Sequence, residues 1–199
     1  SKDVVLSYTQ SNQVAPDGTV TATSYQDYLS DISSEKWTRN YTNDGLDEVR
    51  EGLSVKNTIP NVSAALFRRD ALAHALQTCM AEISSYRVAG DWCVYVNVLR
   101  QGQISFSPES LNFHRRHTGS VTISKFDLAE LSEIARMQAY VSREFSPSEA
   151  DSRKARTYLE SLVTHFQLAA KHPQSELDAA LRGEVRQFGD RDRVSHITE

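Results

Sequence analysis

In "RVAGDWCVYVNVLRQGQISFS", residues 87–107, Asp91 stands directly before an apolar run that Gly102 brings to a close. An aspartate at a helix start can do two things. Its carboxylate can accept from the first free helix amides as an N-cap, or it can stand ionised there and take a proton from a bound hydroxyl. The run supports a helix, because Trp92, Tyr95, Val96 and Leu99 recur at helical spacing before the glycine stop. Val94, Val96 and Val98 also alternate at period two, as in a strand. The acidic start, the aromatic spacing and the glycine favour the helix. Such a helix aims free N–H groups at the carboxylate and is expected to lower its pKa, keeping it ionised as a base must be. For an isolated aspartate the cap is the simpler role, so the neighbours decide.

Other chemistry-bearing types are sparse. "LNFHRRHTGSVT" (111–122) places two histidines, His114 and His117, three residues apart. In a strand that spacing puts them on opposite faces, which argues against a metal pair. Arg68 and Arg69 in "FRRD" read as solvated charge. Cys79 and Cys93 lack metal or redox spacing and read as reduced thiols of a cytoplasmic protein.

The elements that must position these residues fall into three parts. "DVVLSYT" (3–9) reads as a strand and "APDGT" (15–19) as a turn, followed by polar sequence with short helices around "YQDYLSDI" and "LDEVREGL". A Pro-Asn turn then leads through "VSAALF" to a helix from about Arg69, the Asp91 helix, a strand at 103–107 and a Ser-Pro-Glu turn. From about 125 to 185 the pattern is amphipathic helix, with Leu128, Leu131 and Ala135, then Tyr158, Leu162, His165, Phe166 and Ala169, at helical spacing. The chain has 199 residues, 39% of them apolar, enough for one core plus an appendage. Its net charge of −4 argues against a nucleic-acid binder, which carries a basic face. No apolar run approaches the roughly 18 residues of a membrane span, and no signal peptide is evident. Because the chain does not begin with Met and starts at the edge of a strand, it is expected to be an excised piece of a longer protein.

In order, the chain offers "NTIPNVSAALFRR", "GDW", "QGQISF" and "LNFHRRHTGSVT". This ordered set resembles the second half of a family 2 glycosyltransferase domain, an inverting transferase with a GT-A fold, over roughly residues 1–122. The resemblance implies an α/β fold, α+β as a fragment: a partial GT-A nucleotide-diphospho-sugar transferase domain (1–122) with a C-terminal helical extension or linker (123–199). It implies Asp91 as catalytic base, Trp92 as the aromatic that follows it and binds substrate, and Asn61 and Ser63 as substrate-binding residues on the acceptor side. Arg115 would bind the donor diphosphate, and His117 would hold the metal or that diphosphate. A divalent metal (Mg or Mn) would serve the full-length enzyme. The partners implied are a nucleotide-sugar donor and a glycan acceptor of bacterial surface polysaccharide, with self-association as a further expectation. The nucleotide-binding half with its Asp-x-Asp is expected before residue 1, so the fragment alone is expected to be inactive. "DRD" at 190–192 spells that motif but follows no apolar strand that could support a metal site. Without the rest of the sheet, the 3–9 strand is expected to expose an apolar edge that favours dimerisation. A non-catalytic α+β interaction module is the alternative.

Overall fold

Alternating β-branched and aromatic residues favour an extended chain over "VVLSYTQSNQV". In the computed structural model, which describes residues 2–116 and 126–185, this segment is β1 (Val4–Val14). It runs parallel to β5 (Gln103–Arg115) along its length, with Leu6 opposite Ile104, Tyr8 opposite Phe106 and Val14 opposite Arg115. Its other edge carries antiparallel β4 (Ala65–Phe67) beside Leu6–Tyr8 and antiparallel β2 (Val20–Ala22) beside Gln13 and Val14. Antiparallel β3 (Tyr41–Asp44) closes the far side of β5. The result is a mixed sheet in a mixed α/β fold.

Two expectations change here. The 3–9 strand is interior, paired on both edges, so the exposed apolar edge expected there does not exist. The Ser-Pro-Glu segment is not a turn. β5 continues through Pro108, and the parallel register slips between Thr9 and Gln10 and again between Gln10 and Ser11. A bulge tolerates a proline that has no N–H to give the ladder.

Short helices α1 (Gln26–Leu29) and α2 (Gly45–Glu48) form where expected, α2 running into a π turn at Val49–Leu53. α3 (Arg69–Ser84) packs on α4 (Gly90–Leu99). Trp92, Cys93, Tyr95, Val96, Val98 and Leu99 are all buried, so α4 is covered on every side. That is why its sequence satisfies both helical and strand periods. Leu6, Tyr8, Ile104 and Phe106 of the sheet join α3 and α4 in one core, where Cys79 and Cys93 are free thiols. Burial pushes the Cys93 thiol up to about 12. Arg68 is more than solvated charge: its Nε donates to the Val4 carbonyl at 2.7 Å.

The helical region begins with α5 (Leu128–Phe145), started by a reciprocal Asp127–Glu130 capping box. Met137, Val141 and Phe145 of α5 belong to the first core. Leu128, Leu131 and Ala135 form a second core with α6 (Glu149–His165), α7 (Leu168–Lys171) and α8 (Gln174–Leu181). The helical region therefore shares a helix with the core of the sheet. Among the described residues no helix is long and apolar enough to cross a membrane.

Gly102 sits where three backbone segments meet. A Cβ there would lie 2.4 Å from the Asp3 carbonyl oxygen, and one at Gly45 would lie 2.1 Å from the Gly102 oxygen. Neither backbone can yield without disturbing the start of the β1–β5 ladder. Gly102→Ala is expected to cost about 1–3 kcal/mol by overpacking, read as a lower urea midpoint with an unchanged slope. A variant as stable as the parent would refute this close approach.

Candidate functional site

Asp91 is the second residue of α4, not its cap. Ala89 occupies the N-cap position and has no capping side chain. The buried Glu133 carboxylate on α5 accepts from the amides of Arg87 (2.8 Å), Val88 (2.7 Å) and Ala89 (3.2 Å), the three residues that lead into the helix. Asp91 keeps its following amide, Trp92 N–H, at 2.7 Å. Asn57 Nδ2 lies 3.4 Å from both carboxylate oxygens.

The electrostatics also differ from expectation. Burial pushes the Asp91 carboxyl above the usual carboxylate range, against the weaker downward pull of the Trp92 amide and Asn57. Desolvation outweighs the pull of the helix N-terminus here. The Tyr95 and Tyr28 side chains adjoin Asp91, and its negative charge helps keep both phenols protonated. The Tyr95 hydroxyl is buried against Asp91, the group it can donate to.

Asn57 is presented by a tightly held loop. Its Oδ1 accepts from the Ile59 amide at 3.1 Å, and its carbonyl accepts from the Tyr28 hydroxyl at 3.1 Å. The preceding residue, Lys56, is buried with its ammonium 2.7 Å from Asp31 and over the rings of Tyr28 (4.4 Å) and Tyr158 (4.7 Å). Burial pulls the Lys56 pKa below its ordinary value, opposed by Asp31. Further along, buried Asn61 starts a 3-10 turn: its Oδ1 accepts from the Ser63 amide (3.2 Å) and hydroxyl (2.6 Å). Asn61 Nδ2 and Asn112 Nδ2 both donate to Ser11 Oγ, at 3.4 and 3.1 Å. The loop therefore runs from Asp91 to a polar floor on β1 and β5.

That floor continues to the carboxyl ends of the parallel pair, the side of a parallel sheet on which ligands characteristically bind. There the Tyr25 hydroxyl and His114 Nδ1 share a hydrogen bond, and Tyr25 meets Tyr28 edge to face. Burial, and then the Arg116 charge, hold the His114 pKa below its ordinary value.

The six residues singled out from the sequence meet different fates. Asp91 meets Asn57, and Asn61 is buried four residues further along the same loop. Ser63 is exposed beside Asn61. Trp92 is in the core, its indole N–H 3.0 Å from the Leu53 carbonyl. Arg115 gives its guanidinium to the Ala15 and Pro16 carbonyls (3.3 and 2.8 Å), bracing the Asp-Gly turn. His117 and the "DRD" segment lie outside the described residues. Among the described residues no three His, Cys, Asp or Glu side chains are grouped to hold a metal. Sequence reasoning missed Asn57, Tyr28, Lys56 and Glu133. "KN" at 56–57, just before the Pro-Asn turn, was the available signal for the first contact, and Glu133 left none. No family model, curated protein or solved structure matches the chain.

Proposed function

We propose that this chain is the acceptor-side part of an inverting, family 2-like glycosyltransferase that moves a sugar from a nucleotide-sugar donor to a glycan acceptor of bacterial surface polysaccharide. The observation that carries the reading is Asp91. It is a carboxylate at a helix start, made more basic by burial and held by Asn57. In the reaction an acceptor hydroxyl gives its proton to an Asp91 oxygen while its own oxygen attacks the anomeric carbon. The bond from that carbon to the diphosphate oxygen breaks on the opposite face, which inverts the centre. Asn57 keeps the carboxylate turned to the hydroxyl. A divalent metal would neutralise the departing diphosphate, but the described residues present no donor set that fits one, so no step above runs through it.

Titration of the chain with neutral oligosaccharides, followed by amide NMR shifts, tests the acceptor assignment. Changes are expected at Asn57, Asp91, Tyr95 and Asn61. A saturable change centred instead on the shallow dish of about 470 Å³ lined by Ser7, Thr42, Ser105 and Ser107 would move the acceptor site elsewhere. The reading as an interaction module draws on a different observation, the exposure of Leu66 (76%), Leu111 (68%) and Phe113 (65%). Apolar side chains that open to water are a mark of partner surfaces when they are contiguous.

A further inference from the structure

We infer that Glu133 is a positioning residue for Asp91: by binding the three amides that lead into α4 it fixes where the helix begins, and so where the Asp91 carboxylate stands. The inference rests on the reading of Asp91 as base. The approach to the helix, "RVAG", has no acceptor side chain of its own to offer these amides. Without Glu133 they lose their acceptor, and the segment that sets the position of Asp91 against Asn57 is free to shift. Glu133 binds three consecutive amides, Arg87, Val88 and Ala89, so its hold covers the whole approach to the helix.

The same helix grips the rest of this loop. Arg136 donates to the Ser85 carbonyl at 3.0 Å and lies over the Tyr86 ring at 4.8 Å. The other half of the pair is held from the helical region too. Gln138 Nε2 donates to the carbonyls of Val55 (2.7 Å) and Ala155 (3.0 Å), and the Tyr158 ring covers Lys56. Asn57 follows directly. The segment that leads into α4 and Asp91, and the loop that carries Asn57, are therefore both braced by α5 and α6, and the helical region is part of the site's frame. Tyr86, Arg87, Glu130 and Arg136 are the ionisable neighbours of the Glu133 clamp. Asn57, Tyr28 and Tyr95 are the polar groups that face Asp91.

The test follows the Asp91 carboxyl carbon signal through a pH titration of the whole chain, with amide exchange at Val88 and Ala89. In Glu133→Gln the Asp91 midpoint should move down toward the ordinary carboxylate range. Loosening of the segment before α4 admits water to Asp91, and relief of its desolvation acts in that direction. Exchange at Val88 and Ala89 should quicken about tenfold or more. Glu133→Asp keeps the charge but withdraws it by one methylene, so it should quicken exchange with a smaller change in midpoint; it decides the matter if the Gln variant does not fold. Glu149→Gln, a surface change at the Arg153 ion pair, should leave both readouts unmoved. An Asp91 midpoint unchanged in a folded Glu133 variant overturns the positioning role. Neither readout needs substrate, so this failure is distinct from an active Asp91→Asn enzyme, which would overturn the base itself.

Discussion

In the full-length enzyme, Asp91→Asn should lower sugar transfer by about 100-fold or more while the fold survives. Asn keeps the shape of the side chain and its acceptor oxygen for the Trp92 amide, but it cannot take a proton from an acceptor hydroxyl. Stability should move the other way. Burial holds the Asp91 carboxyl above its ordinary pKa, so the folded state binds that proton more tightly than the unfolded state does. The stabilisation Asp91 provides is therefore complete below the unfolded-state pKa and is lost as pH rises through the folded-state value. At neutral pH the ionised, desolvated carboxylate is a burden that Asn lacks. The Asn variant should be the more stable one there, and the difference should vanish as pH falls below the ordinary aspartate range. Urea melts across pH measure this, and donor turnover measures the rate. An Asn variant that transfers sugar at the parental rate would remove the strongest residue-level support for a transferase.

Glu48→Ala should cost about 3–5 kcal/mol, the usual loss when a buried ion pair is broken by deleting one partner. Glu48 is completely buried and serves three donors: Lys36 Nζ at 2.7 Å, Tyr41 Oη at 3.1 Å and Asn43 Nδ2 at 3.2 Å. The chain of bonds behind it has a fixed direction. An indole N–H can only donate and a carboxylate can only accept, so Trp37 donates to Tyr8 (2.7 Å), Tyr8 to Tyr41 (3.0 Å) and Tyr41 to Glu48. Burial and the Glu48 charge hold the Tyr8 phenol far above its ordinary pKa, and burial with the Tyr8 and Glu48 charges does the same for Tyr41. Removing the carboxylate takes the acceptor from Tyr41 and Asn43 at once and leaves Lys36 only the more distant Glu51, at 3.5 Å. Denaturant melts of Glu48→Ala read the loss, and a change below about 1 kcal/mol would mean that water or a side-chain shift satisfies the network.

The sequence by itself determined the local elements. The period of 3.6 in "GDWCVYVNVL", the acidic start of α5 and the β-branched run of β1 each name a structure, because backbone sterics and one-sided burial act over neighbouring residues. It also marked Asp91 as a carboxylate at a helix start, and it marked Asn61 as the head of a turn. Edges and bulges escaped it. Nothing local in "DVVLSYT" tells that β4 and β5 take both of its sides, and nothing in "SPES" tells a turn from a bulge, since partners hundreds of atoms away decide each. The same holds for the site. Asp91 reads as the helix cap until α4 starts one residue before it, with Ala89 at the cap position; Trp92 reads as a substrate contact until Leu53 accepts its indole, and Arg115 reads as an anion binder until the Ala15–Pro16 turn receives it. Which group answers a given N–H or guanidinium depends on distance in space. Periodicity reports only which face of an element is buried, so the choice of partner is made by the tertiary structure.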